Sequence, residues 1–182
     1  MIKLVILAEE ESMRVFLLEL LPKLNVNCPI QIVPHEGKSD LERSIPIKLK
    51  AWSEGDATEV RFIILRDNDG GDCRALKERL LAMCIPYHRR VKVRIVIQHL
   101  ESWLLGDLDA IQAAYGTAIS SRKAKFRNPD RLTNASQLLE QLIKDRVKVT
   151  RARKIGQLAD PGRNESPSFQ ALVRGLQELS QP

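Results

Sequence analysis

Aromatic side chains are scarce: four Phe, two Trp and two Tyr make up 4% of the 182 residues. A core drawn from this chain must be mainly Leu, Ile, Val and Ala. So few rings also argue against a platform that stacks single-stranded bases on aromatic faces. Cysteine is nearly as sparse. Cys28, Cys73 and Cys84 are odd in number and widely spaced, with no CxxC and no Cys/His set at zinc spacing. Buried free thiols in a reducing compartment are the expectation. Long apolar runs are missing, and none approaches a membrane span. The run Ile2 to Ala8 is too short for a signal-peptide core and meets Glu9-Glu10-Glu11 directly. We therefore expect a soluble, cytoplasmic protein with no membrane partner. GxGxxG, HExxH and GxSxG are absent. Gly37-Lys38-Ser39 imitates the end of a P-loop, but Ile32 stands where the first glycine is required. Without repeats, low-complexity tracts or Gly/Ser linkers, one compact unit is expected.

What is present suffices for a core, since 43% of the residues are hydrophobic. Twenty-nine Lys and Arg exceed 23 Asp and Glu, giving a net charge of +6. That excess favours polyanions such as nucleic acid, although many basic proteins bind none. Residues 2–8 form a short, almost uniformly apolar run, which reads as a buried strand. Helical spacing follows over 12–24, then a strand over 30–33. Ser39-Asp-Leu-Glu42 is a capping box opening a helix in which Pro46 reads as a first-turn or kink residue. Ser53 to Glu59 reads as a loop. A third strand, Phe62 to Arg66, precedes a helix capped by Asp72 that buries Leu76, Leu80, Leu81 and Met83 and stops before Pro86. The fourth strand is Val91 to Ile97. This βαβαβαβ order predicts an α/β fold, with a four-stranded, mainly parallel sheet flanked by helices.

Beyond it lies a helical extension. Residues 101–115 are helical, 117–134 are a basic connection, and a helix carries Leu138, Leu139, Leu142 and Ile143. Residues 148–165 are irregular and basic. Ser166-Pro167 starts a last helix with Phe169, Leu172, Val173, Leu176 and Leu179. Residues 1–106 form the core and 107–182 the extension packed on it.

The stretch that organises the chain is Arg61 to Asp72. An apolar strand stops at Asp67-Asn-Asp69 and runs into Gly70-Gly71. Carboxylates at i and i+2 on extended backbone share a side, and parallel sheets bind ligands at the carboxyl ends of their strands. A solvated turn of Asp, Asn and Gly is an equal alternative for this stretch taken alone. Strands one, three and four each end in acid: Glu9, then Asp67 and Asp69, then Glu101. Gathered at one edge, such a group invites a cation or a proton. Glu10 and Glu11 read better as helix N-terminal acids, and for Asp72 cap and ligand roles stand level.

In this order the motifs resemble the TOPRIM (topoisomerase–primase) domain, and more narrowly an uncharacterised bacterial TOPRIM-like family, a domain of unknown function. The residues are Glu9-Glu10, His35-Glu-Gly37-Lys38, Asp67-Asn-Asp69, Glu101-Ser-Trp103-Leu-Leu and Ser166-Pro-Ser168-Phe169. Glu10 departs from the glycine usual there; it would perturb the turn or add a ligand. The resemblance implies a Rossmann-like TOPRIM fold and Mg²⁺-dependent phosphodiester chemistry on DNA or RNA, with Mn²⁺ as a substitute and an ATPase partner in defence or repair. Asp67 and Asp69 would hold Mg²⁺. Glu9 would be a further ligand or the general acid/base. Asp72 and Glu101 would serve a second metal, and Lys38, His35 and His99 would steady a phosphate.

Plainer roles compete: a solvated lysine for Lys38, hydrogen-bonded structural histidines for His35 and His99, a packing role for Trp103. The basic stretches Arg122 to Arg131 and Lys148 to Lys154 would track a nucleic-acid backbone or be ordinary solvated loops. Two other functions are weighed. One is a non-catalytic nucleic-acid- or protein-binding module, which Glu10 favours. The other is a nucleotide-sugar transferase using Asp-x-Asp, against which the acid on strand one and the short chain both count.

Overall fold

A computed structural model describes residues 2–53, 59–86, 90–119 and 126–181. Four strands, β1 (Ile2–Ala8), β2 (Ile30–Pro34), β3 (Glu59–Asp67) and β4 (Val91–Val96), form one sheet in the order β2-β1-β3-β4, and every pairing is parallel. The helices are α1 (Glu11–Leu20), α2 (Lys38–Ser53), α3 (Cys73–Cys84), α4 (Leu100–Leu105), α5 (Leu108–Tyr115), α6 (Ala135–Ile143), α7 (Lys148–Leu158) and α8 (Pro167–Ser180). This is an α/β fold, as the sequence predicts. No helix among the described residues is long and apolar enough to cross a membrane.

The strands alternate their apolar side chains between two cores. Leu4, Ile6, Ala8, Ile63 and Leu65 meet α1, α4–α6 and α8, with Phe16, Trp103 and Phe169 packed together, while Val5, Leu7, Phe62, Ile64 and Val93 meet α2 and α3. Burial on both faces is why the strands read as unbroken apolar runs. β3 begins at Glu59, three residues before the predicted start. It pairs with β1 over the whole of Ile2–Ala8, so the partner's length sets its own.

Three further expectations are corrected and one is narrowed. Residues 148–158 are helical, not irregular. α7 buries only small or short groups, Ala152, Ile155 and Gly156, beside Arg151, so its apolar period is faint and packing on α1 makes it a helix. A Cβ at Gly156 would stand 3.1 Å from Glu19 Cβ and 3.3 Å from the Phe16 ring, so glycine permits that approach. Residues 101–115 form two helices, broken at Gly106-Asp107. Pro46 lies in the interior of α2, which removes the first-turn alternative and leaves the other. Cys84 is buried as expected, but Cys73, at the start of α3, is exposed. Arg122, Lys123 and Lys125 lie outside the described residues.

The motif Ser166-Pro-Ser168-Phe169 fastens the extension. Ser166 caps α8 by accepting from the Phe169 N–H, and Ser168 Oγ accepts from Trp103 Nε1 at 2.8 Å. Trp103 therefore packs, as its plainer reading held.

Candidate metal centre

In the order β2-β1-β3-β4 the winding reverses between β1 and β3, and ligands of open parallel sheets bind outside the carboxyl ends at such a point. Glu9 follows β1 and Asp67 ends β3, so the two acids flank that crevice. Glu9 Oε2 accepts the Asp67 N–H at 2.9 Å. Burial raises the Glu9 carboxyl above the ordinary glutamate range, outweighing the Asp67 N–H and the nearby Arg66, which pull it down.

Asp67 is 6% exposed, and its Oδ1 is buried with no hydrogen-bond partner among the described residues. Oδ2 lies 3.4 Å from His99 Nδ1. Burial pushes the Asp67 carboxyl up to about 7; His99 opposes that shift, and Glu9 and Glu10 add to it. His99 is raised in turn, first through its bond to Asp67. Asp69 reaches the same place by a route the extended-strand argument did not foresee. Its φ of 49° is left-handed, so the chain turns at once after β3. Asn68 holds that turn: its N–H donates to Val96 O, its Nδ2 to Gly71 O, and its Oδ1 accepts the Gln98 N–H at 2.6 Å. Gln98 is itself left-handed, with φ 67°. Strained backbone of this kind persists where its surroundings over-determine it. Among the described residues, one oxygen each from Asp67 and Asp69 and a His99 nitrogen lie within 4.8 Å of one another.

Cations ring these acids. Lys38 Nζ is 3.4 Å from Asp69 Oδ2. The buried Arg66 lies 3.9 Å from the same oxygen and 3.3 Å from Glu42 Oε1, and it donates to the Asp67 carbonyl. Gly37, just before Lys38, adopts φ 94°, which only glycine takes without strain, and its N–H donates to Glu9 O. The turn into α2 is thereby tied to the end of β1.

Other predicted residues are engaged by the fold. His35 is buried, with Nδ1 2.8 Å from Ala8 O and Nε2 2.6 Å from Ser44 Oγ, and burial lowers its pKa. A neutral ring donating from Nδ1 and accepting at Nε2 satisfies both contacts. Asp72 caps α3, accepting from the Arg74 and Ala75 N–H groups. Glu101 is 3% exposed and pairs with Arg151 of α7, itself 1% exposed. Asp72 and Glu101, and Glu9 with its Oε2 taken by the Asp67 N–H, thus lie outside the set formed by Asp67, Asp69 and His99.

The family described as a domain of unknown function, DUF4276, matches residues 8–177. The chain belongs to the DUF4276 family. No curated protein and no solved structure matches it. The DUF4276 span runs from the last residue of β1 into α8, so it contains the acids, their cations and both helical layers.

The DUF4276 rim fits a hard divalent cation on its own chemistry. Oxygen donors of Asp67 and Asp69 converge, the second Asp67 oxygen lacks a partner among the described residues, and burial raises Asp67 and Glu9 above the ordinary carboxyl range. Sequence reasoning missed Asn68, Gln98, Arg66 and Glu42, which build the turn and its flank. An Asn between two acids before Gly-Gly is itself a turn signal and was the one clue available.

Proposed function

We propose that this chain is a Mg²⁺-dependent enzyme of TOPRIM type that acts on phosphodiester bonds of nucleic acid. The observation that carries the reading is the unpartnered, buried Oδ1 of Asp67 at the reversal of the sheet. A carboxylate left in that state costs stability unless something positive meets it. Asp67 and Asp69 would hold the ion, which when bound supplies Lewis-acid polarisation of a phosphoryl oxygen and neutralises developing charge.

The remaining work falls to the chain's own side chains. Glu9, raised by burial, is suited to hold or accept a proton at an oxygen of the scissile phosphodiester. His99, raised first through its bond to Asp67, would stand as a counter-charge to that carboxylate, 3.4 Å from its Oδ2. Lys38 would draw a phosphate to the rim. Glu10, standing where TOPRIM domains usually have glycine, favours the second reading, a binding module without turnover.

Plasmid DNA and a structured RNA incubated with Mg²⁺ or Mn²⁺ separate the two. Wild type should cleave at least one, and Asp67→Asn and Glu9→Gln should each lose 10²-fold or more. Mn²⁺ binding should collapse in Asp67→Asn. If wild type binds Mn²⁺ but is as inert as both variants on every substrate, the module reading replaces the enzyme.

A further inference from the structure

α7 brings a second lysine to the rim, from the opposite side of the sheet to Lys38. Lys38 begins α2, which packs in one core, while α7 contributes Ala152 and Ile155 to the other. Lys148, the first residue of α7, places Nζ 3.2 Å from Glu10 Oε2. Burial pulls the ammonium's pKa down, but Glu10, Glu101 and Asp67 outweigh it, and the net shift is upward. Glu10 adjoins Glu9, whose carboxylate accepts the Asp67 N–H, so Lys148 stands beside the acidic rim. Its side chain is 54% exposed, so a ligand can reach it.

The supports of this lysine are more than a surface ion pair requires. Arg151, one turn along the same helix face, is buried against Glu101 of α4 and lies 3.4 Å from Glu140 of α6. Those contacts fix the first turn of α7, and Gly156 seats the helix on α1. Glu10 is held as well: Ser12 Oγ donates to its other oxygen. An exposed Lys–Glu pair adds little to stability. Stability therefore gives little reason for two elements to hold these groups so firmly, whereas positioning gives a good one.

We propose that Lys148 binds a substrate phosphate beside the metal centre, that Glu10 is its holder and not a metal ligand, and that the substrate is a polynucleotide strand crossing the rim between α2 and α7. This rests on the function proposed above. Ammonium groups lent by opposite layers suit a chain of phosphates better than a single one. On binding, Lys148 exchanges the Glu10 carboxylate for a phosphate oxygen, and no bond is made or broken. Glu10 thereby acquires a role that a glycine could not fill.

The test measures Mn²⁺ affinity by calorimetry. It also measures binding of fluorescein-labelled 20-mers of duplex DNA, single-stranded DNA and RNA in Ca²⁺, with thymidine monophosphate as a control. Lys148→Met should weaken at least one 20-mer about tenfold and lower its salt slope by about one, without weakening Mn²⁺. Lys148→Arg should keep most of the affinity, and Glu10→Gln should keep Mn²⁺ binding within about threefold. If wild type binds Mn²⁺ while Lys148→Met binds every 20-mer as wild type does, the assignment of Lys148 is overturned and the metal reading stands. An equal loss for the monophosphate overturns the strand, and a tenfold loss of Mn²⁺ affinity in Glu10→Gln makes Glu10 a ligand. If wild type binds no Mn²⁺, the metal reading falls and this one with it.

Discussion

The α2–α3 layer and the layer of α1 with α4–α8 cover opposite faces of one sheet by different means. The first is mostly aliphatic, with Leu41, Ile45, Leu49 and Leu80 fully buried and a single ring pair, Trp52 on Phe62, among the described residues; of its ionic ties, Glu42 to Arg79 and Lys38 to Asp69 keep contact with solvent, while Arg66 reaches Glu42 from a buried position. The second holds the cluster of Phe16, Trp103 and Phe169 and, beside it, the buried pair of Arg151 and Glu101. Each layer lends one lysine to the rim. Lys38 is fixed by a local turn on glycine, Lys148 by the docking of a whole helix. A group placed by a turn answers to a few neighbouring residues, and one placed by docking answers to every contact that seats the helix.

That difference predicts the largest effect. Arg151→Met leaves Glu101 charged and buried, which should cost about 3–5 kcal/mol and loosen α7. Adding Glu101→Leu should recover most of it, since a well-packed apolar pair often replaces a buried ion pair without loss. Chemical denaturation of the two variants checks this. A single variant as stable as wild type would mean that α7 is seated by Ala152, Ile155 and Gly156 alone, and the contrast between the layers would shrink.

The second effect belongs to the rim between the layers. Asp67 is pushed up to about 7 from 3.8, so from about pH 4 to pH 7 the folded state keeps a proton that the unfolded state gives up. Stability falls as pH rises across that window, by up to about 4 kcal/mol at pH 8. Glu9 is raised and adds to the fall above its ordinary value of 4.5. His99 is raised above 6.5, and the stability it contributes is present below that value and lost as pH rises through its folded pKa. All three groups share one sign. His35, lowered by burial, opposes them below 6.5, where the unfolded ring takes a proton that the folded ring refuses, so the metal-free melting temperature should drop between pH 5 and pH 8 mainly above 6.5, and Mn²⁺ should restore it far more at pH 8. Mn²⁺ at 100 times its dissociation constant contributes about 2.7 kcal/mol. A flat profile without metal would remove the charge conflict from which the site is argued.

The rim was legible in the sequence where strands carry the message, and the extension was not. β1 to β4 read as apolar runs because both faces are covered, and acids at their carboxyl ends could be assigned to one edge from topology alone. Asp67, Asp69 and His99 come together there, and Glu9 reaches the Asp67 N–H beside them. Glu101 satisfied the same rule and is instead taken up by Arg151, 50 residues away. No local pattern announces a partner at that distance. His35 shows the same limit, because Ala8 O and Ser44 Oγ claim its ring. α7 is polar along most of its length, so a reading based on apolar periodicity passes over it and over the specific place of Lys148.

The smallest effect tests whether the two lysines are as unlike as their supports. Lys38 is 59% exposed and stands 3.4 Å from Oδ2 of Asp69, a residue we propose as a metal ligand. It therefore competes weakly with a cation for that oxygen. An exposed pair of this kind is worth about 0.5 kcal/mol, so Lys38→Met should tighten Mn²⁺ roughly twofold and leave the melting temperature nearly unchanged. Lys148 faces Glu10, which is not among the residues assigned to hold the ion, so Lys148→Met should tighten Mn²⁺ less. Calorimetry on the two variants side by side decides the matter. Equal tightening would mean that both ammonium groups act as counter-charges to the same acids, and that docking α7 confers nothing a turn does not. Weakened Mn²⁺ binding in Lys38→Met would instead make that lysine a support of the Asp69 turn, moving it from the substrate's side of the site to the metal's.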